Sequence, residues 1–284
     1  MKLITCLSNF NDIDEISFVD EIIISTKYSI YYDIYFKEEE IAEIIKKCND
    51  LNIKALISID SIIPENKISE IYDFLNKFIK YQCDFIFTDF AILSFFKEKN
   101  QLNRLIYSAS TYVCNRDDIK YYQDLGIRTI ISNELSLDDL IENCKYDNVI
   151  LQTYGYYPIY YSKRNVLSLF SEYANIKIDI NKAYEIKEEQ RDEKYIIKEY
   201  HDFDNHSIIL NAYKLCIYKE LNDINPKYIY VNTNNLDVLK IYKEGIDKNN
   251  FTEMNELALK KIDGRIDKSL IYIRPSILNK DEKN

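Results

Sequence analysis

The chain has no tryptophan, four glycines and four prolines in 284 residues. The glycine shortage excludes most. Its four positions, Gly126, Gly155, Gly245 and Gly264, permit neither a GxGxxG turn nor a Walker loop. The common phosphate cradles need glycine where backbone N–H groups close on the anion, so they are absent. Histidine is nearly as rare: His201 and His206 both lie in HDFDNH, and a Ser-His-Asp hydrolase would have to use one of them. With Asp202 and Asp204 this segment offers metal-ligand residue types. Its spacing matches neither HExxH nor a facial triad, however, and short polar runs of this kind are turns. The six cysteines, at 6, 48, 83, 114, 144 and 216, form no CxxC and no metal knuckle. Cys48 shares helical spacing with Ile41, Ile44, Ile45 and Leu51 and reads as a small core hydrophobe. No apolar run approaches the ~20 residues of a membrane span, and the opening MKLITC gives way at once to Asn9, Asn11 and Asp12, unlike a secretory signal. A soluble, cytoplasmic protein with no membrane partner is expected. In that setting an even cysteine count does not imply disulfides.

What is present is a chain rich in Ile, Asn and Lys with 26 tyrosines, the residue usage of an AT-rich, bacterial-type genome. Hydrophobic residues make up 46% and charged residues 30%, enough to build a core and unlike a disordered chain. Lys and Arg number 37 against 47 Asp and Glu, a formal charge of −10. An acidic chain gains little from counterion release, so net charge does not support RNA as a partner. The length fits one large domain.

Short apolar runs alternate with amphipathic stretches. Strands are expected at Lys2–Leu7, Glu21–Ser25, Ala55–Ile59, Phe85–Thr88, Arg104–Ser108, Thr129–Ser132 and Val149–Gln152. Near-continuous apolar runs suit parallel strands covered on both faces. Helices are expected over 38–51, 65–81 and 116–125, the last opened by Asn115 and stopped by Gly126, and a Ser136/Asp139 pair resembles a capping box. This alternation predicts an α/β fold, a (β/α)8 TIM-barrel-like architecture. Residues 1–171 supply seven βα units. Residues 172–210 read as a small β-rich insertion, with strands at Ile176–Ile180, Tyr195–Tyr200 and Ile208–Leu210. Residues 211–250 close the barrel with a helix at 212–221, a strand at Tyr228–Val231 and a helix at 236–243. A helix at 253–261 and a polar tail end the chain over 251–284.

From Tyr107 to Ser168 the order SAST, Asn115, DLGIRTIISNELSL and YGYYPIYYSKRNVLS resembles peptidase family U32, the collagenase-like group. The matching residues are Ser108, Ser110, Thr111, Asn115, Gly126, Arg128, Glu134, Leu135, Ser136, Leu137, Gly155, Tyr161, Ser162 and Arg164, with fainter matches at Asp89 and over Asn211–Leu215. The resemblance implies a hydrolase acting on peptide or protein substrates, its mechanism unassigned. Other readings are a non-catalytic or regulatory barrel that keeps the ligand pocket, and an accessory protein in RNA modification, since some relatives act on tRNA or rRNA. Relatives that hydroxylate RNA bases or quinone precursors hold a four-iron–four-sulfur cluster on four cysteines, the first two flanking the Tyr-Ser-Gly-Arg element. Here those two positions are Pro158 and Asn165, and no cysteine follows until Cys216. Neither residue supplies a thiolate, so no cofactor is expected there. The family's Arg before Glu-Leu-Ser-Leu is Asn133, and its His before Gly is Tyr154.

Glu134, just past a strand, is the first candidate catalytic acid or base, and structurally it would cap or pair beside the Ser136 helix start; Asp89, also just after a strand and supported by the resemblance, is the second. Asp60 has only its position after a strand. Ser108, Ser110, Thr111, Asn115, Tyr154, Ser162 and Arg164 form the candidate ligand-binding set. Hydroxyl groups there would bind a ligand or make local turn bonds. The Arg164 guanidinium suits a carboxylate or phosphate and would otherwise make a surface ion pair. A peptide or a small anionic ligand is the expected partner.

Overall fold

The computed structural model describes residues 1–109, 112–187 and 193–251, and the backbone of 270–271. Strands β1 (Lys2–Cys6), β2 (Glu21–Ser25), β3 (Lys54–Ile59), β4 (Cys83–Phe87), β5 (Leu105–Ser108), β6 (Arg128–Ile130) and β7 (Val149–Gly155) pair in parallel in chain order. Helices α1 (Glu38–Asp50), α2 (Ile68–Phe78), α3 (Phe90–Glu98), α4 (Arg116–Asp124) and α5 (Leu137–Asn143) connect β2 through β7. After β7 the chain builds β8 (Pro158–Ser162), α6 (Val166–Ala174), β9 (Tyr184–Lys187), β10 (Lys194–Tyr200), β11 (His206–Leu210), β12 (Lys214–Cys216) and the short α7 (Leu221–Ile224). Strand β13 (Tyr228–Val231) then pairs in parallel with both β7 and β1, which closes an eight-stranded barrel, and α8 (Leu236–Lys248) follows it. The (β/α)8 architecture expected from the sequence is the one observed.

Two alternations run through the strands. Leu3, Ile22, Ile24, Ala55, Ile57, Phe85 and Phe87 face outward under the helices in the large core, beside Ile41, Ile44, Ile45 and Cys48 of α1. The alternate residues face into the barrel in layers, as side chains of period two must. Ile4, Ile23, Leu56, Ile86, Ile106 and Ile150 form the apolar middle layer. Beneath them the strand starts bring charges together. Arg128 Nη1 lies 2.8 Å from Glu21, its Nη2 lies 3.1 Å from Asp84, and Lys54 pairs with Asp84 at 2.9 Å. Both neighbours of the middle layer are therefore polar: an ionic plug below, and above it the floor of a cavity.

Helix ends follow local chemistry. Asn115 accepts from the backbone N–H groups of Asp117 and Asp118, and Gly126 has φ +75° after α4. Ser136 accepts from Asp139 N, but the Asp139 carboxylate takes the Ser136 hydroxyl instead of reaching back to the backbone, so the capping box is half complete. The expected helix over 65–81 is a 3-10 turn over Glu65–Lys67 followed by α2.

Three expectations fail. The segment 212–221 is not a helix: Lys214–Cys216 runs antiparallel to the end of β7, with Leu215 opposite Gly155 and Cys216 opposite Tyr154, and pairing to an existing strand overrides the helical spacing. Residues 176–180 form no strand. Asn175 ends α6 in the left-handed region at φ 51°, and the small sheet is ordered β8-β11-β10-β9 without a strand from 176–180. That sheet also begins with Pro158, ahead of the 172–210 span. The 253–261 helix lies outside the described residues.

The small sheet reaches back to the loop over 26–37 that follows β2. Tyr200 Oη donates to Tyr32 O at 2.9 Å, Lys198 Nζ to the same carbonyl at 2.6 Å, and Tyr32 Oη to Asp202 at 2.7 Å. Tyr32, Tyr200, Ile208 and Leu210 form a separate buried cluster at this joint.

Candidate functional site

A cavity of about 570 Å³ opens at the C-terminal ends of the barrel strands, the end at which barrels of this kind carry their sites and within the size range of ligand pockets. Its floor is the upper barrel layer, with Cys6, Ser25, Ser58, Ser108, Gln152 and Tyr230; loop residues raise the walls. Gly155 makes one corner possible. It sits at φ +104°, and a Cβ there would stand 2.2 Å from Asn232 O, so β7 and β13 approach too closely for any side chain.

Asp60, one residue past β3, projects into this space. One of its oxygens accepts from Ser58 Oγ at 2.8 Å and from Ile30 N at 3.1 Å. Burial pushes its carboxyl above the usual range; the two hydrogen bonds and the nearby His206 counter this only in part. Glu134 lines the same cavity, half-buried, its backbone N–H held by Ser132 Oγ at 3.1 Å. Asn133 Nδ2 donates to Gln152 Oε1 at 3.1 Å and Gln152 Nε2 to Tyr156 O at 3.1 Å, which ties this wall to the loop after β7. Cys6 Sγ lies 2.8 Å from Tyr230 Oη, and burial pushes the thiol up to about 12, far from a ready thiolate. Lys214 Nζ stands 5.7 Å from the Tyr156 ring centre and is the one Lys or Arg of the lining among the described residues, against Asp33, Asp60 and Glu134.

Of the residues singled out in the sequence, Glu134, Ser108, Tyr154 and Asp60 meet on the cavity. Asp89 does not line it. Its two oxygens accept from Ala91 N and Ile63 N, both at 2.9 Å, so it caps α3 and ties down the loop before α2. Asn115 caps α4. Arg164 is exposed on the connection from β8 to α6, where its backbone N–H meets Ser162 Oγ and its carbonyl accepts from Ser207 Oγ. Neither Arg164 nor Ser162 lines the cavity, because β8 already belongs to the small sheet. Ser110 and Thr111 lie outside the described residues. The HDFDNH segment is the turn between β10 and β11, with Asp202 occupied by Tyr32 and Tyr35, and no group of three ligands for a metal occurs among the described residues. Cys6, Tyr31, Asp33, Lys214, Tyr230 and Asn232 were not singled out from the sequence. A signal existed for some: Ile4, Cys6 and Ser8, like Tyr228, Tyr230 and Asn232, continue the inward-facing alternation past the strand ends.

Fold and cavity define an α/β barrel protein with its ligand space at the strand C-termini. The chain belongs to peptidase family U32, whose model matches residues 31–263. Among solved structures it is similar to the U32 peptidase Mk0906, at 10% identity and a TM-score of 0.46, over 83% of this chain and 93% of that one. It is also similar to a chitinase from Chromobacterium violaceum, at 9% identity and 0.37 over 86% and 98%, and to the Bacillus cereus spore cortex-lytic enzyme SleL, at 9% and 0.37 over 81% and 70%. No curated protein matches the chain. Pro158 opens β8 and Asn165 stands at the start of α6; neither side chain can donate a thiolate.

Proposed function

We propose that the chain is a hydrolase of peptide or protein substrates that works at the barrel mouth through Asp60 and Glu134. The observation that carries this reading is the pair of carboxyl groups on one cavity, with Asp60 inclined to keep its proton. Amide hydrolysis needs a base to take a proton from the attacking water and an acid to give one to the departing nitrogen. Glu134 takes the first role and Asp60 the second. Family membership supports the substrate class. The lining supports it too: three acids face one lysine, a charge balance that suits a peptide better than an RNA strand or a small anion.

Hydrolysis of a peptide substrate by Glu134→Gln and by Asp60→Asn is expected to fall by about 10²–10⁴-fold in each case, with peptide binding by calorimetry changed far less. Variants that cut as fast as the wild type would remove both residues from the mechanism. Binding without cleavage by the wild type would point instead to a ligand-binding barrel that performs no hydrolysis.

A further inference from the structure

His206 opens β11, inside the small sheet, and is 3% exposed. Its Nε2 lies 3.0 Å from the carbonyl oxygen of Ile30, and its Nδ1 lies 3.0 Å from the carbonyl oxygen of Asp204. A carbonyl oxygen only accepts, so the tautomer with its proton on Nε2 donates to Ile30. The Tyr200 ring stacks on the imidazole at 4.8 Å and 16°, and the Tyr161 ring lies at 5.5 Å and 34°, so the ring is packed between two aromatic side chains.

The Ile30 contact leads to the cavity. The residue whose carbonyl takes the His206 proton is the residue whose N–H binds Asp60. We propose that His206 is a positioning residue for the Asp60 carboxyl: from the small sheet its ring holds the Ile30 carbonyl, and the Ile30 N–H holds Asp60. This gives the insertion a role at a site it does not itself floor. It rests on the reading of Asp60 as the working acid. The charged and titratable groups around the ring are Asp60 from the end of β3, Tyr161 from β8, Tyr200 from β10 with Lys198 4.9 Å from its ring centre, and Asp204, which is ion-paired with Lys163. Without the ring nitrogen the loop over 26–37 loses a tether, and Asp60 loses a fixed N–H donor. That loss makes its carboxyl harder to ionise.

Two measurements on the whole chain test this without any substrate. In the first, hydrogen exchange of the Ile30 amide is compared between the wild type and folded His206→Phe, which keeps a ring against Tyr200 and removes both nitrogens. Exchange should be faster in the variant; equal protection in the two would overturn the proposal. In the second, the Asp60 carboxyl is titrated by carbon-13 in the same variant. The midpoint should rise; an unchanged midpoint, or one lowered by water entering a loosened loop, would contradict the proposed role. If His206→Phe does not fold, His206→Leu takes its place in both measurements. Both readouts also hold if no peptide is cleaved, so failure of the hydrolase reading and failure of this one are separable.

Discussion

A carboxyl that binds its proton more tightly folded than unfolded ties stability to pH, and Asp60 is such a group. Between its unfolded-state value and its raised folded-state value the native chain holds the extra proton. Stability therefore falls as pH climbs through that window and stays lower above it. Asp60→Asn keeps an oxygen for Ser58 and Ile30 and removes the charge. The variant is expected to melt above the wild type at pH values beyond the window, and to lose that advantage in acid, where both side chains are neutral. Thermal melts at the two ends of the range check this; an equal difference at both would take the carboxyl out of the explanation. A stabilising change that removes activity is what a site residue held against its solvation preference should give. At this scale the sequence was a partial guide. Glu134 could be found because a polar residue directly after a strand belongs to the barrel mouth. Arg164 misled because its place depends on β8 leaving the barrel at Pro158, and nothing local in YSKR reveals that departure.

The elements were legible wherever their pattern arises within themselves. Strands such as Glu21–Ser25, buried on both faces, and Tyr228–Val231, buried on one and half-buried on the other, carry apolar runs, and α1 and α4 show their stripes and stops in sequence. Lys214–Cys216 is a strand because the end of β7 is there to pair with it, which no reading of ten residues can supply. The ionic plug is a further case. Glu21, Asp84 and Arg128 are far apart in sequence and meet because each starts an inward-facing alternation at the same end of the barrel. Burial works against the Arg128 charge, and Glu21 and Asp84 outweigh it, leaving the guanidinium still harder to deprotonate. Arg128→Met would leave two carboxylates, each less than a tenth exposed, without their shared partner. Breaking a buried pair in this way costs about 3–5 kcal/mol, and urea unfolding should show it. A loss below about 1 kcal/mol would mean that water enters the bottom of the barrel and screens the plug.

For the molecule as a whole, an eight-stranded barrel sets the cavity and a four-stranded antiparallel sheet braces one of its loops. No helix among the described residues is long and apolar enough to cross a membrane. Gly155 and Glu134 both line the cavity, together with Asp60. The most direct measurement is digestion of a diverse peptide library by the wild type, Asp60→Asn and Glu134→Gln, read by mass spectrometry after each protein is shown to be folded. The expected result is new peptide termini with the wild type alone. A library left intact by the wild type, or cut equally by all three, would contradict the assignment of hydrolysis to Asp60 and Glu134.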